Sequence, residues 1–362
     1  MDGTTWNDVV GQELLTDNLQ NVLQYNKISH AYLIQGEKLS GKRMIAELFA
    51  RALQCECGLQ HIQQQTSLFD LGLELNVDNQ EDETSVQIKP CNQCRSCKQA
   101  IHGNHPDIIY IEHEKPNIIS VNEIRYQVNE DIAIKPYSGI YKVYIIDEAE
   151  KMNVQAQNAL LKTLEEPPEY AVILLLVTNI EAMLPTIVSR CVTLHTRPVS
   201  ENKIKEYLMK KVQIPDYRAS VCASFSRGNV GRAMELAANE KFDRMKSTVL
   251  GVLKGISDME INQMAAQAKQ IAEEKLDTDD YLDLCFLWYR DVLLYKASSQ
   301  YDGKKNLLFQ EEEPEIASAA KYYSYEGLER IIHSIEQARN RIRSNVNLGL
   351  TMELLLMDMK AQ

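Results

Sequence analysis

Four groups of residues in this 362-residue chain have types and spacings that could do chemistry. The first is GEKLSGKR, residues 36–43. Gly36, Gly41 and Lys42 satisfy the GxxxxGK part of a phosphate-binding loop, in which backbone N–H groups and a helix N-terminus cradle phosphates. Arg43 then stands where a Ser or Thr hydroxyl should ligate magnesium, so the loop reads as a phosphate site lacking a ligand that hydrolysis needs, or as a plain glycine-rich turn. Arg43 can still attract phosphate by charge. The second group is VYIIDEAEKM, where Asp147 could hold magnesium, directly or through water, and Glu148 could orient an attacking water. The plainer role of such a pair is to cap whatever follows a buried strand.

The third group is CNQCRSC. Three thiols in CxxCxxC spacing, with Cys55 some way upstream, could close a tetrahedral zinc site from Cys55, Cys91, Cys94 and Cys97. Cys57 is an alternative to Cys55, because only Glu56 separates them and the segment before Cys91 is long. An iron–sulfur cluster would use the same four thiols, and free thiols are the bland alternative. Cys191, Cys222 and Cys285 stand in apolar contexts and read as packing residues. The fourth group is PTIVSRCVTL, which sets Arg190 just before a strand. An arginine there could reach a neighbouring subunit's phosphate, and by itself it would equally make a surface salt bridge. FSRGNVGRAMEL adds Gly228, Gly231 and Arg232 at a helix start, where the glycines permit close packing and Arg232 could lean toward a nucleotide.

These residues need a scaffold of alternating strands and helices. HAYLIQG is a short apolar strand before the glycine loop, and KRMIAELFARALQC is a helix after it. DIIYIE, YKVYIID, AVILLLVTN and CVTLHT read as further strands, which implies a parallel α/β sheet. In MNVQAQNALLKTLEEPP the apolar residues Met152, Ala156, Leu160 and Leu164 recur at helical spacing until Pro167 and Pro168 stop the helix. The stretch 58–89 turns polar and acidic and loses periodicity, as an exposed or disordered insertion would. Beyond residue 200 the strand signals fade into helical patterns, a small helical domain followed by a larger one. FLWYRDVLLYKA and SNVNLGLTMELLLMDM are apolar at helical spacing, as core or interface helices are.

Composition narrows the classes. Apolar residues make up 44% and charged residues 25%, as in an ordinary globular protein, and no apolar run is long enough to span a bilayer. A net charge of −12 argues against a wholly basic nucleic-acid binder, so any DNA contact should be local or shared. The amino terminus, MDGTTWNDVVGQELL, lacks the positive and apolar regions of a signal peptide, and a cytoplasmic location with no membrane contact is expected.

Together, VVGQELLTDNLQNVLQYNKISHAYLIQG, the glycine loop, CNQCRSCKQAIHGNHPDIIYIE, ISVNEIRYQV, GIYKVYIIDEAEKMNVQAQNALLKTLEEPP, LPTIVSRC and NVNLGLTMELLL resemble the bacterial clamp-loader ATPase family over nearly the whole chain. The resemblance implies an α/β AAA+ P-loop core over 1–198, with a zinc module and acidic insertion about 55–105. A helical lid over 199–240 and an all-α collar over 241–362 would follow. It further implies a hetero-pentameric ring with gamma/tau and delta subunits, a sliding clamp and primed DNA as partners, and structural Zn2+. Thr178 and Asn179 match the family's first sensor, and Arg190 the SRC arginine that acts in trans on a neighbour's ATP. The chain departs from the family's motor type, since Arg43 breaks the loop and Gly231 stands where a second-sensor arginine would be. The resemblance therefore implies a non-hydrolysing stator with a degenerate nucleotide site (Gly36, Gly41, Lys42, Arg43, Asp147, Glu148, Thr178, Asn179) where ATP or ADP could bind without turnover. The alternative is an autonomous or gamma/tau-type ATPase.

Overall fold

The computed structural model describes residues 4–57, 89–113, 115–273, 278–297 and 307–360; the expected insertion, 58–89, lies outside them except for Lys89. The chain divides into two compact units, Met1–Lys203 with Gly228–Gly231, and Ile204–Arg227 with Arg232–Gln362.

The first unit is built on five parallel strands, β1 (Ala31–Gln35), β2 (Ile108–Tyr110), β3 (Lys142–Ile146), β4 (Ala171–Val177) and β5 (Val192–His195). They lie in the order β2-β3-β4-β1-β5. All five expected strands are present. Parallel neighbours need crossover connections, which bury both faces of the central strands. Accordingly AVILLLV is buried at every position of β4. Burying each leucine there contributes about 1.5–3 kcal/mol. Side chains alternate across the sheet, so Tyr32 and Ile34 of β1 pack on one face and Ala31 and Leu33 on the other.

Helices α1 (Glu13–Gln24) and α2 (Lys42–Leu53) cover the first face. Leu15, Leu19 and Leu23 recur every fourth residue on α1, and Ile45, Leu48, Phe49 and Leu53 form the inner side of α2. The helix Val154–Glu165 covers the second face through Ala156, Leu160 and Leu164. Asn153 caps it by accepting from the Ala156 N–H at 2.8 Å, and it ends just before Pro167 and Pro168. The sheet thus presents the ends of β1, β3 and β4 with the loops that carry Lys42, Asp147 and Thr178.

The described residues of the second unit are helical, with long helices at Glu240–Gly255, Ile261–Glu273, Thr278–Ala297, Tyr325–Arg343 and Leu348–Lys360. Trp288, Tyr281 and Tyr289 fill its centre. Asp291 is wholly buried there and accepts N–H groups from Leu308 at 2.7 Å and Phe309 at 2.9 Å. Among the described residues, no helix is long and apolar enough to cross a membrane.

Candidate functional site

The loop between β1 and α2 folds back on its own lysine. Lys42 is 6% exposed and donates to the Gly36 carbonyl at 3.0 Å, the Glu37 carbonyl at 3.2 Å and the Thr178 hydroxyl at 3.4 Å. Burial lowers its pKa, an effect opposed by Glu150, Asp147 and Glu148. Gly41 has φ +87°, and a Cβ there would meet nothing within 4 Å, so the chain is open to the outside at this turn. The Ser40 hydroxyl is buried in the same loop without a hydrogen-bond partner. An orphaned hydroxyl, an open glycine turn and a lysine on a helix N-terminus together fit a phosphate.

Magnesium fits less well. Asp147, at the end of β3, accepts the Glu148 N–H at 2.9 Å, and its other oxygen lies 3.5 Å from a guanidinium nitrogen of Arg43. Arg43 is held besides by Glu47, one turn along α2, at 3.0 Å, and its guanidinium sits 5.7 Å from the centre of the Tyr110 ring. The Glu47 carboxylate raises the Arg43 pKa further, so its charge is permanent. Where a metal-binding hydroxyl would stand there is a cation, and it faces the carboxylate that should be the second ligand. Glu148 has φ +49° and pairs with Lys151, whose hydrogen bond holds the Glu148 carboxyl below its ordinary range.

The two residues expected to form a sensor separate. Thr178 touches Lys42 through its hydroxyl, whereas the Asn179 side-chain oxygen accepts the Glu181 N–H at 3.0 Å and caps the short helix Ile180–Ala182. Glu150, which sequence reasoning missed, accepts the Thr178 N–H at 3.1 Å and supplies the largest electrostatic support to Lys42. Its position three residues after Asp147 was the only available signal. Asn229, also missed, donates to the Lys38 carbonyl at 2.7 Å. Gly231 lies so close to the Leu39 carbonyl that a Cβ would collide with it. The GNVG segment therefore braces the glycine loop through the Asn229 amide and the close approach of Gly231, with no arginine. Arg232 pairs with Asp280 inside the second unit, so the expectation that it leans toward a nucleotide gives way to that ion pair.

Arg190 follows the short helix Pro185–Val188. It donates to the Thr186 carbonyl at 3.0 Å and meets Glu165 at 2.9 Å, with its side chain 37% exposed. The surface salt bridge is thus present, and it fixes the guanidinium where solvent reaches it.

The sulfur atoms of Cys55, Cys91, Cys94 and Cys97 all lie within 4.8 Å of one another. Those of Cys91 and Cys97 are 3.9 Å apart, close to the ~3.8 Å edge that four sulfurs at zinc's usual bond length would span. Cys55 lies two residues past the end of α2, and Cys94 caps the helix Arg95–Ile101. Backbone N–H groups of Cys91, Cys94 and Cys97 point at the sulfurs of Cys55, Cys91 and Cys94. Four convergent thiols with N–H groups to spread their charge fit a tetrahedral soft-metal site. Cys57 is exposed and outside this set. Cys222 and Cys285 are buried, and burial pushes the Cys222 thiol up to about 11 and that of Cys191 to about 12, as in packing residues.

A family model described as "DNA polymerase III, delta subunit" matches residues 11–68 and 57–200, more than half of the chain. The chain belongs to this family of DNA polymerase III clamp-loader subunits, and its parallel sheet with a glycine loop after β1 is the α/β P-loop core of that AAA+ class. It is 29% identical to DNA polymerase III subunit delta' of Bacillus subtilis, covering 94% of this chain and 93% of that one. It is 30% identical to subunit tau of the same organism, covering 87% of this chain and 55% of that one. With subunit tau/gamma of Haemophilus influenzae the identity is 27%, over 98% of this chain and 49% of the other. The chain thus spans about half the length of the tau-type relatives it matches.

Proposed function

We propose that this chain is the delta-prime-type subunit of a clamp loader, a stator that completes the ring without hydrolysing ATP itself. The observation that carries this reading is the Arg43–Asp147 pair, which replaces a magnesium site with an internal salt bridge. The match to a delta' relative over 94% of this chain is consistent with it. In the ring it would sit beside gamma/tau and delta subunits, and act with a sliding clamp at primed DNA in the cytoplasm.

Arg190 is the residue this reading places in trans. The Thr186 carbonyl takes one terminal guanidinium nitrogen and Glu165 the other, and two partners do not exhaust the five N–H donors that could meet a neighbour's phosphates. A guanidinium keeps its charge at any relevant pH and matches two phosphoryl oxygens at once, so it can stabilise the charge that spreads over them in the transition state. The core's four thiols would hold a structural zinc and so fix the ends of the insertion; the domain assignment of core, lid and collar belongs to the same proposal.

The test is a reconstituted loader with Arg190→Ala. DNA-stimulated ATPase and clamp loading should both fall several-fold, up to the ~10³ that an arginine finger contributes at a single site, while the ring still assembles. Unchanged ATPase would remove the trans role.

A further inference from the structure

The phosphate loop keeps its lysine and loses its metal ligand, and the residue responsible is a fixed cation. Three separate elements hold Arg43: Glu47 on α2, Asp147 after β3, and the Tyr110 ring on β2. Its side chain nonetheless remains 61% exposed, beside the open turn at Gly41 and the orphaned Ser40 hydroxyl. A guanidinium carries five N–H donors, and two partners do not exhaust them. A hydrated magnesium in the same place would meet a like charge, and would find its carboxylate already facing Arg43.

We propose that the loop binds a nucleoside di- or triphosphate in its metal-free form, with Arg43 standing in for magnesium. This deepens the reading of the loop as a degenerate nucleotide site and is independent of the trans role of Arg190. Lys42 is buried against the loop carbonyls and Arg43 is exposed next to it, so a polyphosphate on this loop would meet two organic cations. Arg43 can take two phosphate oxygens in a planar fork, which a metal-binding hydroxyl cannot do. A nucleotide so held has no metal to polarise its terminal phosphoryl group and stays intact.

The experiment is calorimetric titration of the purified full-length chain with ATP and with ADP, once with excess magnesium and once with EDTA. The dissociation constant of each nucleotide should be several-fold or more lower in EDTA than in excess magnesium, because magnesium sequesters the free nucleotide, and the difference should be larger for ATP, which holds magnesium more tightly, than for ADP. Arg43→Thr should weaken binding in EDTA by about 10-fold or more and make the remainder magnesium-dependent. Arg43→Lys, which keeps the charge without the fork, should fall between them. Thermal unfolding checks that each variant is folded, as the exposure of Arg43 predicts. Wild-type binding that requires magnesium would overturn the proposal, and so would the absence of binding in both buffers. Neither outcome would touch the Arg190 result in the assembled loader.

Discussion

Helix α2 carries a different site at each end. At its N-terminus stands the glycine loop, with Lys42 drawn onto loop carbonyls and Arg43 paired to Asp147. Cys55 follows its C-terminus and meets Cys91, Cys94 and Cys97 within 4.8 Å. One end has exchanged a metal ligand for a cation and closed the gap with an internal ion pair. The other keeps four convergent donors and brings in none that would repel a metal. The lesson concerns substitution at ligand sets: losing one donor is tolerated where a neighbouring carboxylate can be neutralised from within the fold. Four buried or half-buried thiols have no such substitute, since uncompensated thiolates packed together repel one another.

The largest effect should therefore come from the thiol end. The wild-type chain should hold about one zinc ion by mass spectrometry of the intact protein under native conditions, and Cys94→Ser should reduce this to near zero. Structural zinc contributes on the order of 10 kcal/mol in small zinc-dependent folds, so unfolding the local module by chelation should be visible as earlier proteolysis between Cys55 and His105. Cys57→Ser should leave the metal content at one. If Cys57→Ser lost the metal and Cys55→Ser kept it, the geometry of this end would have been misassigned.

A smaller effect attaches to the brace behind that module. Asp107 is wholly buried just before β2 and accepts the N–H groups of Tyr137 at 2.6 Å, Ser138 at 2.8 Å and Gly139 at 3.2 Å, and the Ser138 hydroxyl at 2.9 Å. Burial pushes its carboxyl up, yet these donors outweigh burial and hold it below the ordinary range. Asp107→Asn puts an amide donor among N–H donors and should cost about 1–3 kcal/mol in denaturant unfolding. Because the folded pKa is depressed, the stability that Asp107 adds is complete above the ordinary carboxylate pKa of about 4 and is lost as pH falls further. The difference between wild type and Asp107→Asn should accordingly be constant near neutrality and shrink below about pH 4. A difference that grew in acid would contradict the assigned sign.

Much of this was legible in the sequence because it is local. The five strands are short apolar runs at the expected places, and Pro167 and Pro168 stop a helix within a few residues of their own position. CxxCxxC spacing announces three ligands by itself. The missing parts depend on contacts between residues far apart in sequence. Nothing in GEKLSGKR shows that Arg43 reaches Asp147, about a hundred positions on, and Asn229 gives no sign that it holds the Lys38 carbonyl. Asn179 read as a sensor because of its motif, but an asparagine beside a turn also makes a good cap, and that local hydrogen bond is the one it forms. Gly231 could be recognised as the absence of an arginine. That the absence lets backbone lie against Leu39 required the fold.

The smallest expected effect sharpens the phosphate end. Glu148 would be the group that orients water in a working site, and Glu148→Gln would then abolish turnover. Here the Glu148 carboxylate is held by Lys151, its side chain is about 40% exposed, and Asp147 beside it is paired to Arg43. Removing its charge should cost at most the ~0.2–1 kcal/mol of an exposed ion pair in thermal or denaturant unfolding. Magnesium-dependent phosphate release by the isolated chain should be indistinguishable between wild type and Glu148→Gln, both at the level of contaminating enzyme. Turnover that the substitution removes would mean that this end of α2 still assembles a catalytic metal despite Arg43, and the contrast with the thiol end would fail. A null result at Glu148 has value only next to a loss at Arg190 in the assembled loader: together they place the chemistry in a neighbour's site.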